Sequence, residues 1–128
     1  AGALGWFQGR WKIVAVEPER CATLHAALDA NAPVNVEVSG VAANALGAPN
    51  SGTICFDLAQ STGIVSVLVS DPAITQAQRR LWQDLRQVVE PAGAAALAAV
   101  LSGAYTPEPD ERLAVLVCGG NIASDPLA

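Results

Sequence analysis

Three short apolar runs stand at wide intervals along the chain, near residues 11–16, 64–69 and 112–117. Each run is six residues long, is rich in valine, leucine and isoleucine, and carries one polar residue. Continuous apolar stretches of this length are typical of strands that are covered on both faces, as in a parallel sheet. We therefore predict three strands at these positions.

The segments between the runs have the spacing of amphipathic helices. Leu24 and Leu28 lie one helical turn apart, and Ile74, Leu81 and Leu85 belong to a longer apolar stripe. Glycines and prolines separate these segments from the apolar runs. The predicted helices cover residues 4–7, 21–30, 53–60, 73–89 and 92–101.

The alternation of strands and helices predicts the fold class. Strands that are linked through helices become parallel neighbours in one sheet. We therefore expect an α/β fold, an open and mainly parallel sheet with helices on its faces. The 128 residues, of which 52% are apolar, suffice for a single domain over residues 1–128 with one core.

The net charge and the spacing of the cysteines argue against several kinds of partner and indicate the cellular compartment. The net charge is −5 and the largest basic cluster is Arg79-Arg80, so no nucleic-acid partner is expected. No apolar stretch reaches the roughly 18 residues of a bilayer span, so no membrane association is expected. Cys21, Cys55 and Cys118 lack metal-binding spacing, which argues against zinc and favours free thiols in the cytoplasm. The opening AGALGWFQGR lacks the basic leader of a signal peptide.

The sequence LAVLVCGGN offers the clearest candidate site. The third predicted strand ends at Val117, and Cys118, Gly119, Gly120 and Asn121 follow. Ligands of α/β sheets bind beyond the carboxyl ends of the strands, and glycines allow a flat ring or a phosphate to approach the backbone. A tight turn beside an inert cysteine explains the same residues without a ligand.

Other candidate residues have structural explanations. His25 is the only histidine, and a lone histidine on a helix is more often a packing or surface residue than a general base. Glu17 and Glu90 both stand in a Val-Glu-Pro sequence, where helix capping explains each. Glu90 gains a role in a site if it lies beside Cys118.

Several stretches together resemble the pyridoxal-phosphate-dependent serine/threonine dehydratase family, which has the tryptophan-synthase β-like fold. The stretches are VAVEPE, TLHAAL, GVAANALG, VLVSD, LWQDLRQVVEPAGAAALAAVLSG and VLVCGGN. They occur in the family's order across nearly all of the chain. The resemblance implies the C-terminal half of the large catalytic domain, without the cofactor lysine motif, the small domain or the glycine-rich phosphate loop.

The resemblance also implies roles for single residues. Cys118 would face the pyridine nitrogen of the cofactor, and the turn would be completed by Gly119, Gly120 and Asn121. A thiol there leaves the nitrogen unprotonated, unlike the aspartate of other cofactor folds. Gly40 would lie where a loop passes the ring, and Glu90 near the far edge of the ring.

A divalent cation, which some relatives bind after the Val-Glu-Pro strand, is not expected in this chain. Glu17 matches one ligand of that cation, but the position of the later carboxylate holds Thr23. Because a hard cation needs several oxygen ligands, one matching carboxylate does not predict a metal site.

The parent activity implied by the resemblance is the deamination of L-serine and L-threonine. Lys12, the only lysine, lies within a predicted strand and not in the family's lysine motif. We therefore expect that the isolated chain neither binds pyridoxal phosphate through a Schiff base nor catalyses this reaction alone.

Two other functions remain open. One is a cofactor-independent activity that uses Cys118, Cys55, His25 or the carboxylates. The other is a non-catalytic dimeric module for binding or structure, with a small amino-acid-like ligand as one option. We expect a homodimer in either case, since Trp6, Phe7 and Trp11 of the N-terminal segment would otherwise be exposed.

Overall fold

The computed structural model describes residues 1–122. In chain order its elements are α1 (Gly2–Phe7), β1 (Val14–Pro18), α2 (Thr23–Ala30), α3 (Ala43–Leu46), α4 (Thr53–Thr62), β2 (Val65–Val69), α5 (Asp71–Leu85) and α6 (Pro91–Ser102). A short 3-10 turn, Glu19–Cys21, joins β1 to α2. None of these helices is both long enough and apolar enough to cross a bilayer.

The two strands lie side by side and run parallel. Val14 is opposite Val65, and the register continues to Pro18 opposite Val69. The connection from β1 to β2 runs through α2, α3 and α4. The prediction of a parallel α/β fold is therefore confirmed.

Helices α5 and α6 cover one face of the sheet. Val14, Val16 and Val67 of the strands pack against this helix pair. The buried residues of α6 are all small, namely Gly93, Ala94, Ala95, Ala98 and Ala99. Their size allows the helix to pack closely on both the sheet and α5.

Helices α1, α2 and α4 cover the opposite face. They contribute the buried residues Leu4, Leu24 and Ala59 to a second apolar cluster. Ile13 and Ala15 pack against this cluster, whereas Val14 and Val16 pack against the first. The alternation follows from the geometry of a strand, in which successive side chains point to opposite faces.

Two predicted strands require correction. The prediction of a strand over residues 112–117 is wrong, because residues 111–120 have no regular secondary structure. An apolar run forms a strand only when a neighbouring strand pairs with its backbone, and the described residues supply none there. The first strand also begins at Val14 and not at residue 11.

The helix predicted over residues 73–89 begins at Asp71 and ends at Leu85. Arg86 adopts a left-handed conformation with φ of 57°. Its guanidinium donates to the carbonyl oxygens of Trp82 and Gln83, at 2.9 and 2.6 Å. The backbone N–H groups of Arg86 and Gln87 also donate to the carbonyl oxygens of Trp82 and Leu81, and this left-handed backbone cap stops the helix although the apolar stripe continues.

Candidate functional site

The turn at Cys118–Gly120 packs directly on the first turn of α6. The backbone N–H of Glu90 donates to the carbonyl oxygen of Gly119 at 3.0 Å. Glu90 is the residue that precedes α6 and Pro91 is its first residue. Glu90 therefore lies beside the Cys118 turn, which is the position that would give it a role in a site.

Glycines at two positions make this contact possible. A Cβ atom on Gly93 would lie 1.6 Å from the carbonyl oxygen of Cys118, and one on Gly119 would lie 1.7 Å from Oε1 of Glu90. Gly119 also has a φ of +78°, in the region that favours glycine. The helix and the turn can approach this closely only without side chains at these positions.

The surface at this turn presents a thiol, a carboxylate and glycine backbone. Cys118 carries a free thiol and is exposed, as are Gly119, Gly120 and Asn121. Next to it stands the half-buried carboxylate of Glu90. A flat ring could therefore lie against the glycine backbone, with a thiol and a carboxylate within reach of its polar atoms.

Gly40 has its contacts elsewhere at the carboxyl end of the sheet. A Cβ on Gly40 would lie 2.6 Å from Oδ2 of Asp71, which follows β2. The same Oδ2 is 3.6 Å from Nη1 of Arg20 and accepts from the backbone N–H of Val41 at 3.4 Å. Asp71 thus ties the Gly40 loop to the start of α5.

Glu17 caps a helix. Its Oε1 accepts from the backbone N–H of Leu24 and its Oε2 from that of His25, both at 2.8 Å. These are the second and third residues of α2, whose N–H groups have no partner inside the helix. Thr23 donates its hydroxyl to the carbonyl oxygen of Ala48 at 3.3 Å. Residues 1–122 contain no cluster of three or more His, Cys, Asp or Glu side chains that could hold a metal ion.

His25 lies between two polar side chains. Its Nδ1 is 3.0 Å from Oγ of Ser66 on β2, and its Nε2 is 3.7 Å from Oδ2 of Asp29 one turn later. The imidazole therefore links α2 to the sheet, which agrees with the packing explanation.

Lys12 belongs to a cluster at the amino end of β1. Its Nζ is 3.5 Å from Oε1 of Glu111 and 5.0 Å from the ring centre of Tyr105. The Tyr105 hydroxyl donates to the same Oε1 at 2.5 Å. The contact with Tyr105 raises the pKa of Lys12, with a further contribution from the charge of Glu111. The Tyr105 hydrogen bond, together with the backbone N–H of Glu108, lowers the pKa of Glu111.

Sequence reasoning did not identify Gly93, Asp71 or Tyr105. A signal existed for Gly93, because a glycine inside an alanine-rich helix has a conformational cost that close packing explains. The contacts of Asp71 and Tyr105 join distant parts of the chain and have no sequence pattern of their own.

Comparison with known proteins gives the chain a family context. The family model for "Pyridoxal-phosphate dependent enzyme" matches residues 2–119. The chain is 38% identical over 112 residues to L-threonine dehydratase biosynthetic IlvA of Escherichia coli (strain K12), covering 87% of this chain and 22% of the relative. It is 34% identical over 128 residues to L-serine dehydratase/L-threonine deaminase of Homo sapiens, covering 92% of this chain and 38% of that relative. The chain thus spans well under half the length of these relatives.

Solved structures agree in fold. The T.th. threonine deaminase superposes with a TM-score of 0.82 at 31% identity, over 97% of this chain and 44% of that chain. The processed form of threonine deaminase isoform 2 from Solanum lycopersicum superposes with a TM-score of 0.86 at 23% identity, over 98% of this chain and 38% of that chain. The second likeness shows the fold alone.

The described residues fit pyridoxal phosphate only in part. The thiol and the glycines of the Cys118 turn suit the nitrogen edge of the ring. Lys12 lies at the amino end of β1 in contact with Glu111, whereas the turn lies at the amino end of α6. Because Lys12 is the only lysine of the sequence, the described residues place no amine beside the turn. No covalent step can be derived from this geometry.

Proposed function

Because the chain belongs to the family of pyridoxal-phosphate-dependent enzymes, we propose that it forms the part of a serine/threonine dehydratase that contacts the nitrogen edge of the cofactor ring. The observation that carries this proposal is the Cys118–Gly120 turn, packed on α6 at Gly93 and exposing a thiol. The rest of the cofactor site would come from other parts of a family-length protein.

The substrate class follows from the relatives. The two relatives compared above are named as threonine or serine dehydratases, and the T.th. structure is a threonine deaminase. We propose that the whole protein releases ammonia from L-serine or L-threonine. In that reaction the cofactor serves as the electron sink, and this chain sets the charge beside its ring nitrogen through Cys118.

A chimera tests the proposal. In it, this chain replaces the matched region of the Escherichia coli relative, and formation of 2-oxobutyrate from L-threonine is measured. We expect the chimera to be active and Cys118→Ser to stay within a few-fold of it. Cys118→Asp should lower kcat at least about tenfold, because a carboxylate would hold the ring nitrogen protonated.

Equal activity of the Ser and Asp variants would contradict the placement of Cys118 against the ring nitrogen. Cofactor absorbance and cooperative unfolding are measured on each chimera to show that it is folded and loaded. If the Escherichia coli chimera does not fold, the same pair of substitutions is compared in the human relative.

The isolated chain provides the second arm of the test. After addition of pyridoxal phosphate we expect no stable Schiff-base absorbance and no 2-oxobutyrate, because Lys12 is held at the amino end of β1 by Glu111. Borohydride reduction followed by mass spectrometry measures this directly. Near-stoichiometric trapping of the cofactor on Lys12 would contradict the expectation.

One observation supports the alternative of a dimeric module. Trp6 and Trp11 are 74% and 62% exposed, which is unusual for residues of this size. We propose that a homodimer covers them.

We also propose a reducing cytoplasmic location, which the exposed free thiol of Cys118 supports.

A further inference from the structure

Residues 39–41, termed the latch below, lie against the carboxyl end of the sheet. Pro18 at the end of β1 is opposite Val69 at the end of β2. Arg20 stands two residues after the first strand, and Asp71 two residues after the second. The latch contacts both of these charged side chains. Ligands of open α/β sheets bind at this edge, so a movement of the latch would change the surface there.

Arg20 holds both ends of the latch. Its Nε donates to Oγ of Ser39 at 3.0 Å, and the backbone N–H of Ser39 donates to the carbonyl oxygen of Arg20 at 2.9 Å. Nη1 of Arg20 is also 3.6 Å from Oδ2 of Asp71, and the same oxygen accepts from the N–H of Val41 at 3.4 Å. The guanidinium therefore acts on Ser39 directly, and on Val41 through Asp71.

The closed latch has a cost, which falls on the carboxylate of Asp71. A Cβ on Gly40 would lie 2.6 Å from Oδ2 of this carboxylate and 2.8 Å from its Oδ1. Oδ1 is buried and has no hydrogen-bond partner among residues 1–122. A carboxylate oxygen that loses its hydration without gaining a partner destabilises the closed form. Opening of the latch would expose this oxygen to water.

The contacts that keep the latch closed are weak. The side chain of Arg20 is 60% exposed, and ion pairs of exposed side chains contribute little to stability. The hydrogen bond from Val41 is long, at 3.4 Å. The sheet and α5 are held separately, by the apolar core to which Val69 and Ile74 belong. Segments held by few and weak contacts open locally while the rest of a protein stays folded.

A buried thiol lies against the latch. Cys21 is 1% exposed, and its Sγ donates to the carbonyl oxygen of Ser39 at 3.1 Å. When the latch opens, the sulfur loses this acceptor and becomes accessible to reagents. The reactivity of Cys21 therefore reports the position of the latch.

We infer that the latch is a conformational switch at the carboxyl end of the sheet, which opens without unfolding of the sheet or of α5, and that Arg20 is the positioning residue that keeps it closed. The open form exposes the Asp71 carboxylate and the Cys21 thiol at the edge where a ligand of this fold class would bind. No cofactor takes part in the opening, so it can be measured in the isolated chain.

Native-state hydrogen exchange of the 128-residue chain measures the opening. We expect the amides of Ser39 and Val41 to be protected, and to exchange at rates that do not depend on urea at low urea concentrations. The amide of Ile74, which donates to the carbonyl oxygen of Ser70 at the start of α5, should exchange more slowly and with a strong dependence on urea. The same urea dependence for all three amides, or no protection at Ser39 and Val41, would overturn the inference.

Arg20→Gln tests the residue that holds the latch. It should speed the exchange of Ser39 and Val41 at least about fivefold and leave the urea midpoint of the whole chain nearly unchanged. Arg20→Lys retains the charge and should restore part of the protection. Arg79→Gln is the matched control, since Arg79 is exposed on α5 and the change of charge is the same. Equal exchange in the two glutamine variants would show that Arg20 does not hold the latch.

A substitution at Gly40 forces the latch open. Gly40→Ala places a methyl group against the Asp71 carboxylate, at a residue with φ of +89°. Gly9→Ala is the matched control, because Gly9 has a φ of +76° but no atom lies within 4 Å of a Cβ built on it. Pulsed labelling with iodoacetamide, followed by mass spectrometry of peptides, measures Cys21 in both variants.

We expect Cys21 to be labelled at least about tenfold faster in Gly40→Ala than in Gly9→Ala. The exposed Cys118 should react equally in both and serves as the internal standard. Equal labelling of Cys21 would contradict the latch. If Gly40→Ala loses the protection of the Ile74 amide, the same labelling compares Arg20→Gln with Arg79→Gln, and equal rates there would have the same meaning.

Discussion

At the scale of single residues, Gly93 is where the candidate site and the core meet most closely. A Cβ atom there would lie 1.6 Å from a backbone oxygen, that of Cys118, which cannot rotate away as a side chain could. We expect Gly93→Ala to lower the free energy of unfolding by about 1–3 kcal/mol, through displacement of the turn from α6. Urea unfolding of the purified chain measures this.

Gly5→Ala is the matched control for that prediction. Gly5 is also helical, in α1, and no atom lies within 4 Å of a Cβ built on it. Alanine should therefore stabilise the protein there, by up to about 1 kcal/mol, because it restricts the unfolded chain. If both substitutions stabilise the protein, the Cys118 turn does not pack on α6 as described.

Tyr105 links two charged groups whose pKa values shift in opposite directions. Its hydrogen bond lowers the pKa of Glu111, so the associated stability is present at neutral pH and is lost as pH falls through that lowered pKa. Lys12 has a raised pKa, so its contribution is present at neutral pH and is lost as pH rises through that raised value.

We therefore expect Tyr105→Phe to be less stable than the parent chain at pH 7. The stability difference between the two proteins should shrink on acidification below pH 4.5, which is the ordinary pKa of a glutamate carboxyl. The substitution retains the aromatic ring beside Lys12 and removes only the hydroxyl. Urea midpoints measured across this pH range give the result, and a stability difference that does not change with pH would rule out the hydrogen bond as its source.

At the scale of elements, α2 depends on a carboxylate from outside the helix. Glu17 on β1 accepts from two N–H groups of its first turn, so the strand and the helix are joined by charge-assisted bonds. Glu17→Gln replaces one acceptor with an amide donor that faces an N–H group. We expect a loss of about 1–3 kcal/mol in the free energy of unfolding, which urea denaturation measures.

Glu37→Gln is the control for the capping prediction, because Glu37 lies on an exposed loop and the substitution makes the same change of charge. It should change stability by less than about 0.5 kcal/mol. Equal effects of the two substitutions would show that net charge, and not the cap, determines the result.

The elements also show where sequence patterns succeed and where they fail. The apolar run of residues 64–69 predicted β2 within one residue, because its partner β1 is present. The similar run of residues 112–117 predicted a strand that does not form, because strand pairing depends on a neighbour that composition cannot reveal. The end of α5 was missed because the backbone of Arg86, and not hydrophobicity, terminates the helix.

At the scale of the whole molecule, the α/β fold and the family could be predicted, because both depend on the order of motifs along the chain. The resemblance also implied that Cys118 and Glu90 face the same cofactor ring, Cys118 at its nitrogen and Glu90 near its far edge. Their actual contact depends on how α6 packs, and in particular on Gly93, which links segments far apart in sequence. Gly40 was expected near the same ring, but its described contact is with Asp71, at the start of α5.

Several large apolar side chains are exposed on α1 and on its neighbours. Trp6 lies on α1 and is 74% exposed, and Phe7 stacks on the exposed Trp11 with ring centres 4.4 Å apart. Helix α1 packs against α4, where Ile54 is 73% exposed. This group of apolar side chains is large enough to form the centre of an interface.

We expect the chain to form a homodimer at low micromolar concentration, with more than about 2,000 Å² buried in total. Trp6→Glu should produce a monomer, because a dimer would bury the new carboxylate without a partner. Leu85→Glu is the matched control, since Leu85 is 63% exposed but lies on α5, on the opposite face of the sheet. Light scattering measures all three proteins, and a monomeric parent chain, or a dimer broken equally by both substitutions, would show that the α1 surface does not form the interface.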